Sequence, residues 1–165
     1  MAKPSLRIVL PLVALLLAMG ARAGRAGGAS PEDVLKNYLG AIQSQQFDKA
    51  YDLVSKAMKT DRKSGKVKPK EVWVKESQYI FAFSEAKILD FKVHPAKIEG
   101  DKATVPNLLS SQDKFLNQLG VEEYELYTLV KEDGAWKVDQ QQEVVEQAEI
   151  AKWFPKKAAN PTAKP

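Results

Sequence analysis

The chain has 165 residues, of which 44% are hydrophobic and 28% are charged. This composition fits one globular domain with appended segments, and it excludes a chain that is disordered or membrane-spanning throughout. The absence of cysteine excludes disulfides and thiolate chemistry. The formal net charge of +4 raises the question of nucleic-acid binding, which depends on where the charge lies.

The first 23 residues have the layout of a secretory signal peptide. Lys3 and Arg7 precede an apolar run, residues 8–19, and residues 21–23 (ARA) supply small residues for cleavage. The run is shorter than the roughly 20 apolar residues of a membrane span, and an uncleaved anchor is the alternative. Cleavage after Ala23 removes three of the 25 basic residues, which leaves the rest almost balanced by 21 acidic ones. We therefore expect a periplasmic or secreted protein and no nucleic-acid partner.

Residues 24–29 (GRAGGA) are rich in glycine and alanine and predict a flexible lead-in. Order is expected from Ser30. The hydroxyl of Ser30 and the carboxylate of Asp33 suit a helix start because they accept hydrogen bonds from free backbone N–H groups, and Pro31 has no N–H to leave unpaired.

Apolar residues then recur at helical spacing in two sets, residues 34–42 and 47–58, separated by a polar break at 44–46. This pattern predicts two amphipathic helices. Residues 60–70 are polar and contain Gly and Pro, which predicts a loop. Residues 71–83 (EVWVKESQYIFAF) fit either a helix or a strand, because their aromatic and β-branched residues also recur at helical spacing.

After residue 85 the apolar period shortens to two. Leu89, Phe91 and Val93 alternate with polar residues, which predicts a half-buried strand. A turn at 99–102 leads to a second strand at 103–109, and residues 110–120 are expected to be a long connection. Residues 121–131 alternate again, with one face carrying Tyr124, Leu126, Thr128 and Val130 and the other carrying Glu123, Glu125 and Tyr127.

The stretch VKEDGAWKV, residues 130–138, is the clearest local signal in the chain. Two alternating runs flank Asp133-Gly134, a dipeptide typical of a tight hairpin turn. The second run places Trp136 where a core is expected. Residues 140–154 are helix-prone and predict a C-terminal helix, and residues 155–165 are expected to be disordered. Helices followed by antiparallel strands predict an α+β domain with N-terminal helices packed on one sheet face.

Two segments resemble the opening and closing motifs of exported bacterial proteins of the nuclear transport factor 2-like superfamily, the cystatin-like cone domains. These are YLGAIQSQQFDKAYDLVS, residues 38–55, and YELYTLVKEDGAWKVD, residues 124–139. The resemblance spans residues 30–139, and its motifs are more specific for fold than for function. It implies a curved antiparallel sheet wrapped on helices, with a pocket at the wide end of the cone. It also implies that a second copy of the chain is a candidate partner, forming a homodimer through the open sheet face.

Enzymes of this superfamily, such as ketosteroid isomerase-like and scytalone dehydratase-like proteins, place an acid and a base in the pocket. Asp90 and His94 are the catalytic candidates here, and neither fits well because alternation puts both on the polar face of their strand. With one histidine and no cysteine, we expect no metal and no cofactor. We therefore favour a non-enzymatic domain, and an isomerase, dehydratase or hydrolase is the alternative.

Aromatic residues are the more promising source of a binding site. Core packing explains any single one of them, but a subset lining an apolar pocket would bind a small apolar ligand, with tyrosine hydroxyls to orient it. The residues expected to line this pocket are Trp73, Tyr79, Phe83, Tyr124 and Tyr127.

Residues 56–75 hold eight basic residues against two acidic ones, whereas acidic residues dominate 122–149. A solvated loop and a solvated sheet edge explain both. The alternative is a basic surface that contacts anionic lipid headgroups, an acidic partner or a second copy of the chain. We define this basic surface as Arg62, Lys63, Lys66, Lys68 and Lys70. Membrane contact is less favoured than a small ligand or a protein partner.

Overall fold

The computed structural model describes residues 28–115, 120 and 122–155. The predicted signal peptide, most of the predicted lead-in and nearly all of the predicted disordered tail lie outside these residues. Four helices come first: α1 (Pro31–Gln43), α2 (Phe47–Leu53), α3 (Lys56–Lys59) and α4 (Lys70–Ser84). Five strands and a last helix follow: β1 (Lys87–Val93), β2 (Lys97–Glu99), β3 (Lys102–Gln112), β4 (Glu122–Glu132), β5 (Ala135–Glu143) and α5 (Gln147–Trp153). The predicted α+β class is confirmed.

Helix α1 begins as predicted, because the Oγ of Ser30 accepts a hydrogen bond from the backbone N–H of Asp33 at 3.1 Å. The second predicted helix is shorter than expected. It ends at Leu53, since Val54 is extended and forms a parallel bridge with Val138 of β5. The backbone at this point is held by the sheet edge, and Ser55 then caps the separate helix α3.

Residues 71–83 are helical, within α4. Tertiary packing decides this ambiguous segment. The ring of Trp73 meets Tyr51 edge-on at 5.7 Å, and the ring of Phe81 meets Phe47 edge-on at 5.1 Å. Two turns of α4 therefore place aromatic rings against α2.

The strands are antiparallel in the order β1-β3-β4-β5, and β2 pairs with one end of β3. A bulge interrupts β1 at Leu89, which has no partner between Ile88 and Asp90 in the register with β3. Because a bulge adds one residue to a strand, it reverses the alternation beyond it. Leu89, predicted to be on the buried face, is 48% exposed, while Ile88 packs against the core.

The core lies between α1 and the face of the sheet that the helices cover, which we call the inner face. Leu35 of α1 and Leu129 of β4 are fully buried there, and Trp136 is 9% exposed, as the hairpin pattern predicted. Gly134 has a φ of 79°, which suits the tight turn before that strand.

The C-terminal prediction is partly wrong, because residues 140–143 continue strand β5 and the helix begins only at Gln147. Pairing with β4 outweighs the helix propensity of the three glutamines and Glu143. Strand β3 likewise extends through residues 110–112, predicted to be part of a connection, because they pair with β1. In the part of the chain that the structure describes, no helix is both long and apolar enough to cross a membrane.

Candidate functional site

A cavity of about 230 Å³ lies between α1 and the inner sheet face. Its apolar wall comes from Leu39 and Ile42 of α1, Phe81 of α4, Ile88 of β1 and Leu109 of β3. Its polar groups include Lys87 and Asp113, together with a cluster formed by Tyr38, Glu125, Tyr127 and Gln141. Helices and sheet thus border an open cavity that has apolar walls and a polar cluster in its lining.

Of the five aromatic residues predicted to line a pocket, the structure brings Tyr127 to this cavity. Tyr79 and Phe83 lie on the outer side of α4, where they are 69% and 55% exposed and their rings stack 6.0 Å apart. Trp73 packs in the helix layer. The prediction is corrected for these three, because the helical period alone does not say which side of α4 meets the core.

Tyr124 requires the same correction for a different reason. It lies on the sheet face opposite the cavity, the outer face, where its ring meets the ring of Phe154 edge-on at 4.9 Å. Neighbouring residues of a strand point to opposite faces. Since Glu125 and Tyr127 occupy the inner face, Tyr124 cannot share it.

Glu125 is the central residue of the polar cluster, and the sequence interpretation missed it. Its side chain is fully buried. The Nδ2 of Asn107 donates to its Oε2 at 2.8 Å, the Nε2 of Gln141 donates to its Oε1, and the hydroxyl of Tyr127 also donates to the carboxylate. These three donors are all uncharged.

The electrostatics of the cluster follow from burial. Burial raises the pKa of Glu125, and the hydrogen bonds from its three donors only partly oppose this. Burial and the charge of Glu125 raise the pKa of Tyr38 to about 12. The same two causes raise the pKa of Tyr127. Both tyrosines therefore keep their protons at neutral pH, and their hydroxyl groups are able to donate hydrogen bonds.

The signal for Glu125 was present in the sequence. It was counted among the acidic residues of a solvated segment, although it precedes Tyr127 and Leu129 at the spacing of one strand face. Both of those residues are buried, and Glu125 is buried with them. Recognising the inner face from Leu129 would have placed the carboxylate inside.

The two catalytic candidates lie away from the cavity. Asp90 is exposed, and its Oδ1 accepts a hydrogen bond from the neighbouring backbone N–H of Phe91 at 2.8 Å. His94 is half-buried, with its ring edge-on to Phe154 at 5.2 Å, and partial burial and Lys92 lower its pKa. Within residues 28–115, 120 and 122–155, no three His, Asp or Glu side chains are close enough to hold a metal ion.

The basic surface lies in the loop before α4 and at its first residue. Two of its members form ion pairs: Lys68 with Glu76, and Lys70 with Asp52 at 2.7 Å. The remaining three, Arg62, Lys63 and Lys66, are exposed. Arg62 also borders a larger groove of about 1020 Å³ between the outer sheet face and α5, whose lining is mostly polar.

No protein-family model and no curated protein matches the sequence. Among solved structures, a candidate ketosteroid isomerase from Shewanella frigidimarina is 19% identical with a TM-score of 0.50, and the match covers 72% of this chain and 98% of that one. A nuclear transport factor 2-like protein from Cytophaga hutchinsonii is 18% identical with a TM-score of 0.46, covering 68% of this chain and 93% of that one.

At these identities the similarity concerns the fold alone. The first match agrees with the observed architecture, in which helices precede and cover one face of a curved five-stranded antiparallel sheet. The fold expected from the two motifs is thereby confirmed: the chain has the nuclear transport factor 2-like fold.

Proposed function

We propose that this domain binds a small, largely apolar molecule in the cavity between α1 and the inner sheet face, with a polar group of the ligand directed at Glu125. The observation that carries the proposal is a fully buried carboxyl group beside an apolar cavity. Burying a carboxylate whose donors are all uncharged costs stability. Ligand sites combine an apolar lining with a few polar groups that orient the ligand, and this cavity has that composition.

The size of the cavity limits the ligand. Pockets for drug-sized molecules span about 300–1,000 Å³, and this one holds about 230 Å³. A compact molecule with one ring or a short branched chain fits that space better than a polycyclic molecule does. Tyr38 and Tyr127 meet edge-on with ring centroids 6.5 Å apart, so they offer ring surfaces as well as hydroxyl groups.

A second candidate is a proton-transfer enzyme of the isomerase or dehydratase kind. The observation that favours it is the raised pKa of Glu125, since a general base works best when its pKa lies near the working pH. The working group of this alternative is therefore Glu125 rather than Asp90 or His94. Binding ranks first because amide donors already occupy both oxygens of the carboxyl group.

We also propose that the domain works after export, in the periplasm or outside the cell. The support is the signal-peptide layout of residues 1–23. Two partner hypotheses stay separate proposals: a homodimer through the outer sheet face, and membrane contact through the basic surface. Phe154 already packs on Tyr124 and His94 of the outer face, so a second copy would meet a partly covered surface.

Native mass spectrometry of the protein purified without denaturation tests the binding proposal and also reports cleavage near Ala23 and the oligomeric state. We expect a retained small molecule. Ala86 lines the cavity, so Ala86→Phe should fill part of it and remove the bound mass. The matched control is Ala82→Phe, an exposed position four residues earlier, which should retain it. Equal retention by both variants would contradict binding in this cavity.

A further inference from the structure

We infer that the cavity selects an organic cation, a protonated amine carried on a small apolar body. This inference rests on the proposed binding function and names the chemical class of the ligand. It is carried by a buried carboxylate without a counter-charge, by aromatic rings beside it and by one displaceable donor.

The charge balance around Glu125 favours a cation. Within the described part of the chain, no lysine, arginine or histidine forms an ion pair with its carboxylate. The charged group that acts on its pKa is another carboxylate, Glu123. Lys87 and Asp113 both border the cavity, and their opposite charges leave the excess of negative charge at Glu125. A buried negative charge surrounded only by uncharged donors favours a positively charged ligand group.

Hydrogen-bond chemistry points the same way. The carboxylate already accepts bonds from three uncharged groups, so an alcohol or amide on a ligand would replace one such donor with an equivalent one. An ammonium group would instead form a charge-assisted bond, which is roughly twice as strong. The rings of Tyr38 and Tyr127 line the same cavity, and aromatic faces attract cations.

Access to the carboxylate identifies a positioning residue. Because Glu125 is fully buried, a ligand reaches it by replacing one of its donors. Asn107 is fully buried and Tyr127 is 4% exposed, whereas Gln141 is exposed on the edge strand β5 and lines the cavity. We therefore assign Gln141 as the donor that an incoming ammonium group displaces.

The test compares benzylamine, benzyl alcohol and toluene, which have the same ring and nearly the same size but differ in charge and polarity. Isothermal titration calorimetry near pH 8 should show benzylamine binding at least about tenfold more tightly than benzyl alcohol, a preference of about 1.4 kcal/mol. Glu125→Gln keeps the shape of the side chain and should abolish the preference for benzylamine over benzyl alcohol. Glu123→Gln is the matched control, because it removes a neighbouring charge on the same strand outside the cavity lining, and it should keep the preference.

Two further measurements do not depend on that variant folding. Gln141→Ala should raise benzylamine affinity, since the amine no longer competes with the amide; a lower affinity would contradict the displacement. For the unaltered protein, the preference for the amine should weaken as the pH is lowered and Glu125, whose pKa is raised by burial, gains a proton; a preference that stays constant as the pH is lowered would contradict the role of this carboxylate. The other titratable groups that face Glu125 or line the cavity are Tyr38, Lys87, Asp113, Glu123 and Tyr127, and Glu123→Gln is the control for the neighbouring carboxylate.

The outcomes separate the two proposals. If benzyl alcohol and toluene bind but the amine shows no preference, the cation inference is overturned and the binding proposal stands. If the preference is equal in Glu125→Gln and the unaltered protein, the cavity carboxylate is not the recognising group and the inference also falls. If none of the three compounds binds and no mass is retained in native mass spectrometry, both proposals fail together.

Discussion

Trp136→Ala tests the register that places the candidate site. In the β4–β5 hairpin, Trp136 pairs with Lys131, Val138 with Leu129 and Gln141 with Tyr127. Lys131, Leu129, Tyr127 and Glu125 follow at every second position of β4, so one face carries them all. If Trp136 is buried on the inner face, Glu125 must be on that face too.

The magnitude follows from the burial of the ring. An aromatic side chain of this size buries about 150–250 Å², and at about 25 cal/mol per Å² this corresponds to about 4–6 kcal/mol for complete burial. Trp136 is 9% exposed, and alanine retains part of the buried area. We therefore expect a loss of about 3–5 kcal/mol, the usual range for removing a buried aromatic ring. The substitution also removes the contact between the ring and the Nζ of Lys131, which lies 5.1 Å from the ring centroid.

Urea denaturation followed by circular dichroism measures this loss as a lower midpoint at unchanged slope. The control is Trp153→Ala, which removes the same side chain from a half-buried position on the short helix α5 and should cost about 1 kcal/mol or less. A loss below about 1 kcal/mol for Trp136→Ala, or equal losses for both variants, would refute the register and remove Glu125 from the cavity.

Three further predictions concern Glu125, Ser55 and the basic surface. Because burial raises the pKa of Glu125, the stability that its protonated form contributes is complete below the pKa of the unfolded chain and is lost as pH rises through the folded pKa. Glu125→Gln should therefore flatten the plot of urea midpoint against pH, and parallel plots for the variant and the unaltered protein would contradict this. Ser55 is fully buried, caps α3, and donates a hydrogen bond from its hydroxyl to the Oδ1 of Asp139 at 2.6 Å. Ser55→Ala should therefore lower the free energy of unfolding by about 1–2 kcal/mol in the same assay, and a loss near zero would argue against the cap. If the basic surface binds membranes, cosedimentation with anionic vesicles should decrease as the salt concentration rises. Binding should fall more on neutralising the exposed Arg62, Lys63 and Lys66 than on neutralising Lys68 and Lys70, which form ion pairs. An absence of binding at low salt would contradict the membrane hypothesis.

Several elements were predictable because the signal is local. The cap at Ser30 needs only a hydroxyl three residues before an N–H that it can reach. The turn at Gly134 needs only a residue that tolerates a positive φ between two alternating runs. These features and the two family motifs were sufficient to predict the fold class.

Other elements were mispredicted because pairing partners distant in sequence overrode local preference. The predicted second helix stops at Leu53 because the sheet edge at Val138 holds the next residue in extended form. Residues 140–143 are a strand because β4 lies beside them. Neither pairing can be recognised from the residues next to it in the sequence.

In the candidate site, too, one feature follows from local sequence and another from distant parts of the chain. Which residues of β4 share a face follows from their spacing, since neighbouring side chains of a strand point to opposite faces whatever their surroundings. Spacing does not tell which of the two faces the helices cover. Packing of the helices buries Glu125 among Asn107, Tyr127 and Gln141 and leaves Tyr124 on the other side. The cost of burying this carboxylate, and the pKa shift that follows, depend on the groups that β3, β5 and α1 bring around it. Those groups come from separate parts of the chain and meet only in the folded domain.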